Sequence, residues 1–163
     1  MVNRRAVVLG PGGVVGTAWS LGVVEGLRRN RIELADADLL VGASAGADGV
    51  PVHRVVTAST AMPGMAAPVT IGAHRYIDGA PRNGSNADLA EGMSTLILIE
   101  PLAHVFPTTV PSSVRRVARI VPDPVAIETF GPDLDDRSSW PAVFAAGLRQ
   151  GKAAADEVRA VWQ

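Results

Sequence analysis

Ser44 lies in Gly42-Ala43-Ser44-Ala45-Gly46, with a glycine two residues to either side. A serine hydroxyl in such a place can act as a nucleophile on a carbonyl carbon. It then needs a proton acceptor and a set of donors for the oxyanion that forms. Flanking glycines let a strand turn sharply into a helix while the central side chain stands clear of its neighbours. The helix expected from Ala45 onward aims free N–H groups and the positive end of its dipole at that point, and the N–H of Ala45 is the first of them. A bare G-x-S-x-G is a weak signal, since a glycine-rich turn with a filler serine has the same letters. Its position strengthens it, because the apolar run 39–41 directly precedes it.

The remaining parts of such a site have candidates elsewhere. Gly10-Pro11-Gly12-Gly13 ends the apolar run 6–9, and the N–H groups of Gly12 and Gly13 suit an oxyanion; Pro11 cannot donate but stiffens the turn. Asp78, in Tyr76-Ile77-Asp78-Gly79-Ala80, is the candidate acceptor. An aspartate is a weak base at neutral pH, so it must hold the serine proton at close range in a partly dehydrated site. Asp-Gly is also a common hairpin turn, which is the plain alternative for Asp78. Asp48 follows Ser44 by four residues and reads as a local helix residue. His53, His74 and His104 are the only histidines. The order Ser44, Asp78, His104 fits the α/β-hydrolase sequence of nucleophile, acid and base, but that fold sets its nucleophile after more strands than precede Ser44 here. Gly10, Gly12 and Gly16 also approximate a dinucleotide-binding turn, with Glu33, Asp36 and Asp38 at the distance of a ribose-binding acid. That reading leaves Ser44 without a role.

The elements that must position these residues follow from periodicity. Runs 6–9 and 39–41 read as buried strands, and 15–29 as a helix with Trp19, Val23 and Leu27 spaced by four. Strand, helix, strand makes a βαβ unit, and hence a parallel sheet covered on both faces. Residues 69–71 and 75–77 suggest a hairpin, 86–91 a short helix, 95–99 a strand and 101–111 a loop, while 114–121 is ambiguous between helical turn and strand. Phe144, Gly147, Leu148, Gly151, Ala155, Val158 and Trp162 fall on one face of a long closing helix expected to pack on the sheet.

Composition bounds the class. A chain of 163 residues with 47% apolar and 19% charged residues is one domain's worth of globular protein. A net charge of −1 gives no electrostatic footing for nucleic acid. The absence of cysteine excludes disulfides, thiolate metal sites and cysteine nucleophiles. The uncharged stretch 6–24 imitates a signal peptide or membrane span, but five glycines and Pro11 interrupt it, so strand, turn and helix explain it better and a cytoplasmic location is expected.

Three segments taken together resemble the patatin-like phospholipases: GPGGVVG, then GASAG beginning 26 residues after that turn ends, then ASTAMPGMAAPVTIGAHRYIDGA. The similarity spans most of residues 5–100 and continues faintly through NADLAEG. It implies an α/β fold of three layers, α/β/α, with a mostly parallel central sheet, here as a single compact domain over residues 1–163. It implies acyl-ester hydrolysis by a Ser–Asp dyad without histidine, metal or cofactor. On that mapping Ser44 is the nucleophile, Asp78 the base, and Gly12 and Gly13 the oxyanion donors, with Ala45 added on mechanistic grounds. Ala58-Ser59 and Pro63-Gly64 match a segment near the site. The chain departs at Pro11, Val15 and Ala80, where the pattern has glycine, a basic residue and glycine. Its largest departure is the loss of much of the middle segment that usually walls the acyl pocket. Expected partners are therefore a small ester or lipid, with peripheral membrane contact and self-association through uncovered apolar surface.

Overall fold

The computed structural model describes residues 3–42, 61, 66–77, 79, 84–106 and 108–163. Its centre is a four-stranded parallel sheet in the order β2-β1-β5-β6, formed by β1 (Arg5–Leu9), β2 (Leu39–Gly42), β5 (Thr95–Ile99) and β6 (Arg116–Ile120). The expected hairpin is present as a separate antiparallel pair, β3 (Val69–Ile71) and β4 (His74–Tyr76), its second strand one residue earlier than the sequence suggests. The ambiguous stretch 114–121 resolves as β6, and the short helix at 86–91 is the 3-10 turn Ala87–Ala90.

Burial on both faces explains the composition of the central strands. Alternation sends Val7, Ile97, Ile99, Ala118 and Ile120 to one face, and Ala6, Val8, Leu96 and Leu98 to the other. Helix α1 (Gly13–Arg29) and the C-terminal helices cover the first face, while Ala87, Ala90 and Met93 cover the second. The architecture is thus α/β, a central parallel sheet flanked by helical elements and compatible with three layers. β5, every residue of which is buried, is the strand that such a sheet must make most apolar.

α1 ends where its chemistry says it should. Arg28 and Arg29 complement the negative end of the helix dipole, and Asn30 returns its side-chain amide to the Gly26 carbonyl at 2.8 Å. The next residue, Arg31, is left-handed at φ 63° and closes the turn. Hydrogen bonds from Arg28, and then from Arg29, hold the partly buried Glu25 carboxyl down at about 2.

The expected long closing helix is two helices. α3 (Trp140–Ala153) and α4 (Ala155–Trp162) meet at Ala154, and α2 (Pro124–Phe130) precedes them. α4 lies against β5 and β6, whereas α3 packs mainly on α1. Glycines make that second contact. A Cβ on Gly147 would stand 2.1 Å from the Trp19 carbonyl oxygen, one on Gly151 2.2 Å from that of Val23, and one on Gly22 2.2 Å from that of Phe144. The two backbones therefore touch, and Trp19 is pinned beside them by its Nε1–H to Gln150 Oε1 (2.8 Å) and the edge of Phe130. The single face read from the sequence is real, but half of it is helix-facing rather than sheet-facing.

α2 is joined to α3 by one carboxylate. Asp123 caps α2 by accepting from Ala126 N–H at 2.8 Å, ahead of Pro124 in the first turn, and pairs with Arg149 at 2.7 Å. The Arg149 hydrogen bond, more than the backbone donors, holds its carboxyl below the usual range.

Gly147→Ala is expected to destabilise the chain by at least about 2 kcal/mol, since backbone atoms rather than a movable side chain occupy the space. Urea unfolding with an unchanged midpoint would refute the contact. Asp123 contributes stability that is present above its unfolded pKa, near about 3.9, and is lost as pH falls through its lower folded value. Acid unfolding followed by circular dichroism should therefore show a weaker pH dependence below about pH 4 in Asp123→Asn than in the parent.

Candidate functional site

Parallel strands deliver their following loops to one edge, and here the register fixes which residues share it. Leu9 is paired with Gly42 on one side and Ile99 on the other, and Ile99 with Ile120. The glycine turn after β1, the end of β2 at Gly42, the Glu100-Pro101 corner and the Val121-Pro122 corner thus share one edge of the sheet. Adjacent strands stand about 4.8 Å apart, so the glycine turn begins one strand spacing from the end of β2.

The turn is built from close approaches. Gly10 N–H donates to the Ile99 carbonyl at 2.8 Å and fastens the start of the turn to β5. Gly12 precedes α1, and a Cβ there would meet Gly16 Cα at 2.6 Å and Pro101 Cγ at 2.7 Å. Gly13 opens the helix with φ +59°, a left-handed conformation that an L side chain strains to adopt. Of the first N–H groups of α1, that of Val15 is taken by the Leu134 carbonyl at 2.9 Å. Those of Gly12 and Gly13 have no acceptor among the described residues, and Gly13 is exposed. Two unpaired donors at the positive end of a helix are an anion-receiving arrangement.

One carboxylate opposes that field. A Cβ on Gly13 would be 3.1 Å from the Leu134 carbonyl oxygen and 3.6 Å from Asp135 Oδ1. The loop between α2 and α3 therefore brings a negative charge beside the donors. Sequence reasoning missed Asp135, whose only signal was the acidic run of Asp133, Asp135 and Asp136.

A second feature at this edge is Glu100, 2% exposed at the end of β5. It accepts from Arg119 Nε at 2.5 Å and from the Thr108 hydroxyl, and Thr108 meets Ser85 at 2.8 Å. Nothing in the sequence distinguished Glu100 from a surface residue at a strand end. Beside it, Ala103, His104, Arg119, Val121, Pro122 and Ile127 line an open, mainly apolar hollow of about 370 Å³.

Of the residues singled out in the sequence, the glycine turn lies where expected, at the carboxyl edge and next to the end of β2. Ser44, Ala45 and Asp78 lie outside the described residues, as do Asp48, His53, Ala58-Ser59, Pro63-Gly64 and Ala80. His104 is exposed in the hollow, and His74 is exposed on the hairpin, edge-on to Tyr76. The acidic residues of the dinucleotide alternative are at the wrong end of the sheet. Asp38 accepts from the N–H of Arg5, the first residue of β1, at 2.7 Å, and the Asp36 carbonyl takes the Arg5 guanidinium at 2.9 Å. Both precede β2, at the amino edge, whereas a ribose-binding acid must stand at the carboxyl end with the glycines. Among the described residues, no group of three or more His, Asp or Glu side chains could hold a metal ion, and no helix is long and apolar enough to cross a membrane. No protein-family model matches the chain, and no curated protein matches it.

Gly13→Ala is expected to cost about 1–2 kcal/mol through its left-handed backbone alone. Chemical denaturation reads this directly, and an unchanged free energy of unfolding would contradict the turn geometry.

Proposed function

We propose that the chain is a shortened patatin-like hydrolase that cleaves carboxylic esters with a Ser44–Asp78 dyad. The observation carrying this reading is the pair of unpartnered N–H groups at Gly12 and Gly13, in a turn that starts from Leu9, the register partner of Gly42 at the end of β2. Ser44 follows Gly42 by two residues, and two residues of chain span at most about 7 Å. That bound keeps Ser44 near the end of β2, whose register partner Leu9 leads into the glycine turn.

Asp78 would take the Ser44 proton as Oγ attacks the ester carbonyl carbon. Negative charge would develop on the carbonyl oxygen, where the N–H groups of Gly12 and Gly13, with that of Ala45, would receive it. Collapse would break the bond to the alcohol, which leaves with the proton held by Asp78. Water, deprotonated in turn by Asp78, would attack the acyl-serine; the acyl–Oγ bond would break as Asp78 returns that proton to Ser44, freeing the acid. No metal or cofactor has a step in this sequence. Loss of the middle segment that usually walls the acyl pocket favours a short acyl or alcohol group over a long chain. Exposed Val117, Val121, Val125 and Ile127 along β6 and α2 support self-association or contact with a lipid surface, and a cytoplasmic location belongs to the same proposal.

Asp135 supports a second reading. A carboxylate beside the donors raises the energy of any anion held there, which suits a fold kept as a scaffold or lipid-binding module without turnover.

Hydrolysis of a nitrophenyl butyrate ester is expected in the parent and to fall by about a thousandfold or more in Ser44→Ala, with a comparable loss in Asp78→Asn. Equal turnover by the parent and Ser44→Ala would end the hydrolase reading. A folded parent that a fluorophosphonate leaves unlabelled would favour the scaffold.

A further inference from the structure

Glu100 is the most deeply buried charged side chain among the described residues, and the proposed reaction gives it no role. Its surroundings tie together three parts of the carboxyl edge. Its backbone supports the glycine turn: a Cβ on Gly10 would be 3.3 Å from Glu100 Cα, and the adjoining Pro101 fills the space against Gly12 and Gly16. One carboxylate oxygen is held by Arg119, which shares a face of the sheet with it on β6. The other accepts the Thr108 hydroxyl.

The direction of the next bond follows from donor inventory. A carboxylate only accepts, so Thr108 spends its single hydroxyl hydrogen on Glu100, and the Ser85 hydroxyl must donate to Thr108. The relay Ser85 to Thr108 to Glu100 therefore has one polarity and one terminus. Ser85 is itself buried, 2% exposed, and follows Asp78 by seven residues. Its neighbours are held in demanding backbone conformations, Gly84 at φ 63° and Asn86 at φ 56°. A left-handed, non-glycine residue that is also buried persists only where its surroundings over-determine it. The relay supplies part of that determination.

We propose that Glu100 is a positioning residue: through Thr108 and Ser85 it fixes residues 84–86, which follow Asp78 by six to eight positions, against the same β5 corner that carries the glycine turn. Acceptor and oxyanion donors would then share one rigid reference, as a reaction sensitive to displacements near 1 Å requires. This role rests on the hydrolase reading, whereas the anchoring itself does not.

Two measurements on the full chain separate them. Thr108→Val keeps the shape of the side chain but breaks the relay, leaving the Glu100–Arg119 pair intact, and Thr108→Ser restores the hydroxyl. Amide hydrogen exchange at residues 84–86 is expected to speed up about tenfold in Thr108→Val and in Glu100→Gln, without comparable change in α1 or α3, and to stay at the parent rate in Thr108→Ser. Fluorophosphonate labelling of Ser44 is expected to slow by about tenfold in the same two variants and to recover in Thr108→Ser, well below the melting transition of each.

Unchanged exchange at 84–86 in Thr108→Val, or acceleration spread evenly over the chain, overturns the anchoring. Faster local exchange with labelling at the parent rate overturns the positioning role. A parent chain that does not label overturns the hydrolase reading and the positioning role with it, and exchange alone then decides whether Glu100 anchors the segment.

Discussion

The contact on which the rest of the molecule depends is the backbone-to-backbone crossing of α1 and α3. Gly22 and Gly26 on one helix face Gly147 and Gly151 on the other, so carbonyl oxygens and α-carbons meet with no side chain between them. Dispersion and exclusion of water over this contact offset the conformational entropy that four glycines cost in helices. The crossing fixes α1 over β1 and β5, which sets where its first turn falls. It also fixes α3, whose preceding loop returns Leu134 to the N-terminus of α1. Helix packing and the geometry of the glycine turn are therefore one problem.

That turn is where structure passes into chemistry. Close packing on Pro101 and Gly16, a left-handed Gly13 and the single cap from Leu134 leave two donors free of any described acceptor. β5 is the common support. Its last residues hold Gly10 by a backbone hydrogen bond, hold Gly12 by contact, and end in the buried Glu100 network that reaches Ser85. The opposing charge of Asp135 makes the balance at this point a matter of a few ångströms. A site of this kind is tuned as much by the loop above it as by the strand that carries it.

Much of the fold was legible in the sequence. The apolar runs of β1 and β5 and the four-residue spacing of α1 have strong periodicity, and the parallel sheet followed from their order. The glycine turn was legible because glycine clusters have few structural excuses. What escaped the sequence depends on partners remote in the chain. Gly147 and Gly151 looked like small residues on a sheet-facing helix, because one helix alone does not show that Gly22 and Gly26 lie opposite. The break at Ala154 has no proline or glycine to announce it. Glu100 and Asp135 read as ordinary acids, since their roles come from Arg119, Thr108 and Gly13, between 8 and 122 positions away. Edge strand β6 was ambiguous because its alternation is short and Arg116 and Arg119 interrupt it.

The central claim is that Ser44 attacks within reach of the amides of the glycine turn. A crystal structure of the chain after treatment with a fluorophosphonate tests it at the level of atoms. Attack by Ser44 at the glycine turn requires phosphorus bonded to Ser44 Oγ, a phosphonyl oxygen about 3 Å from the nitrogens of Gly12 and Gly13, and the Asp78 carboxylate beside Oγ. An adduct whose oxygen points away from the turn, or a serine and aspartate on different sides of the sheet, would contradict it.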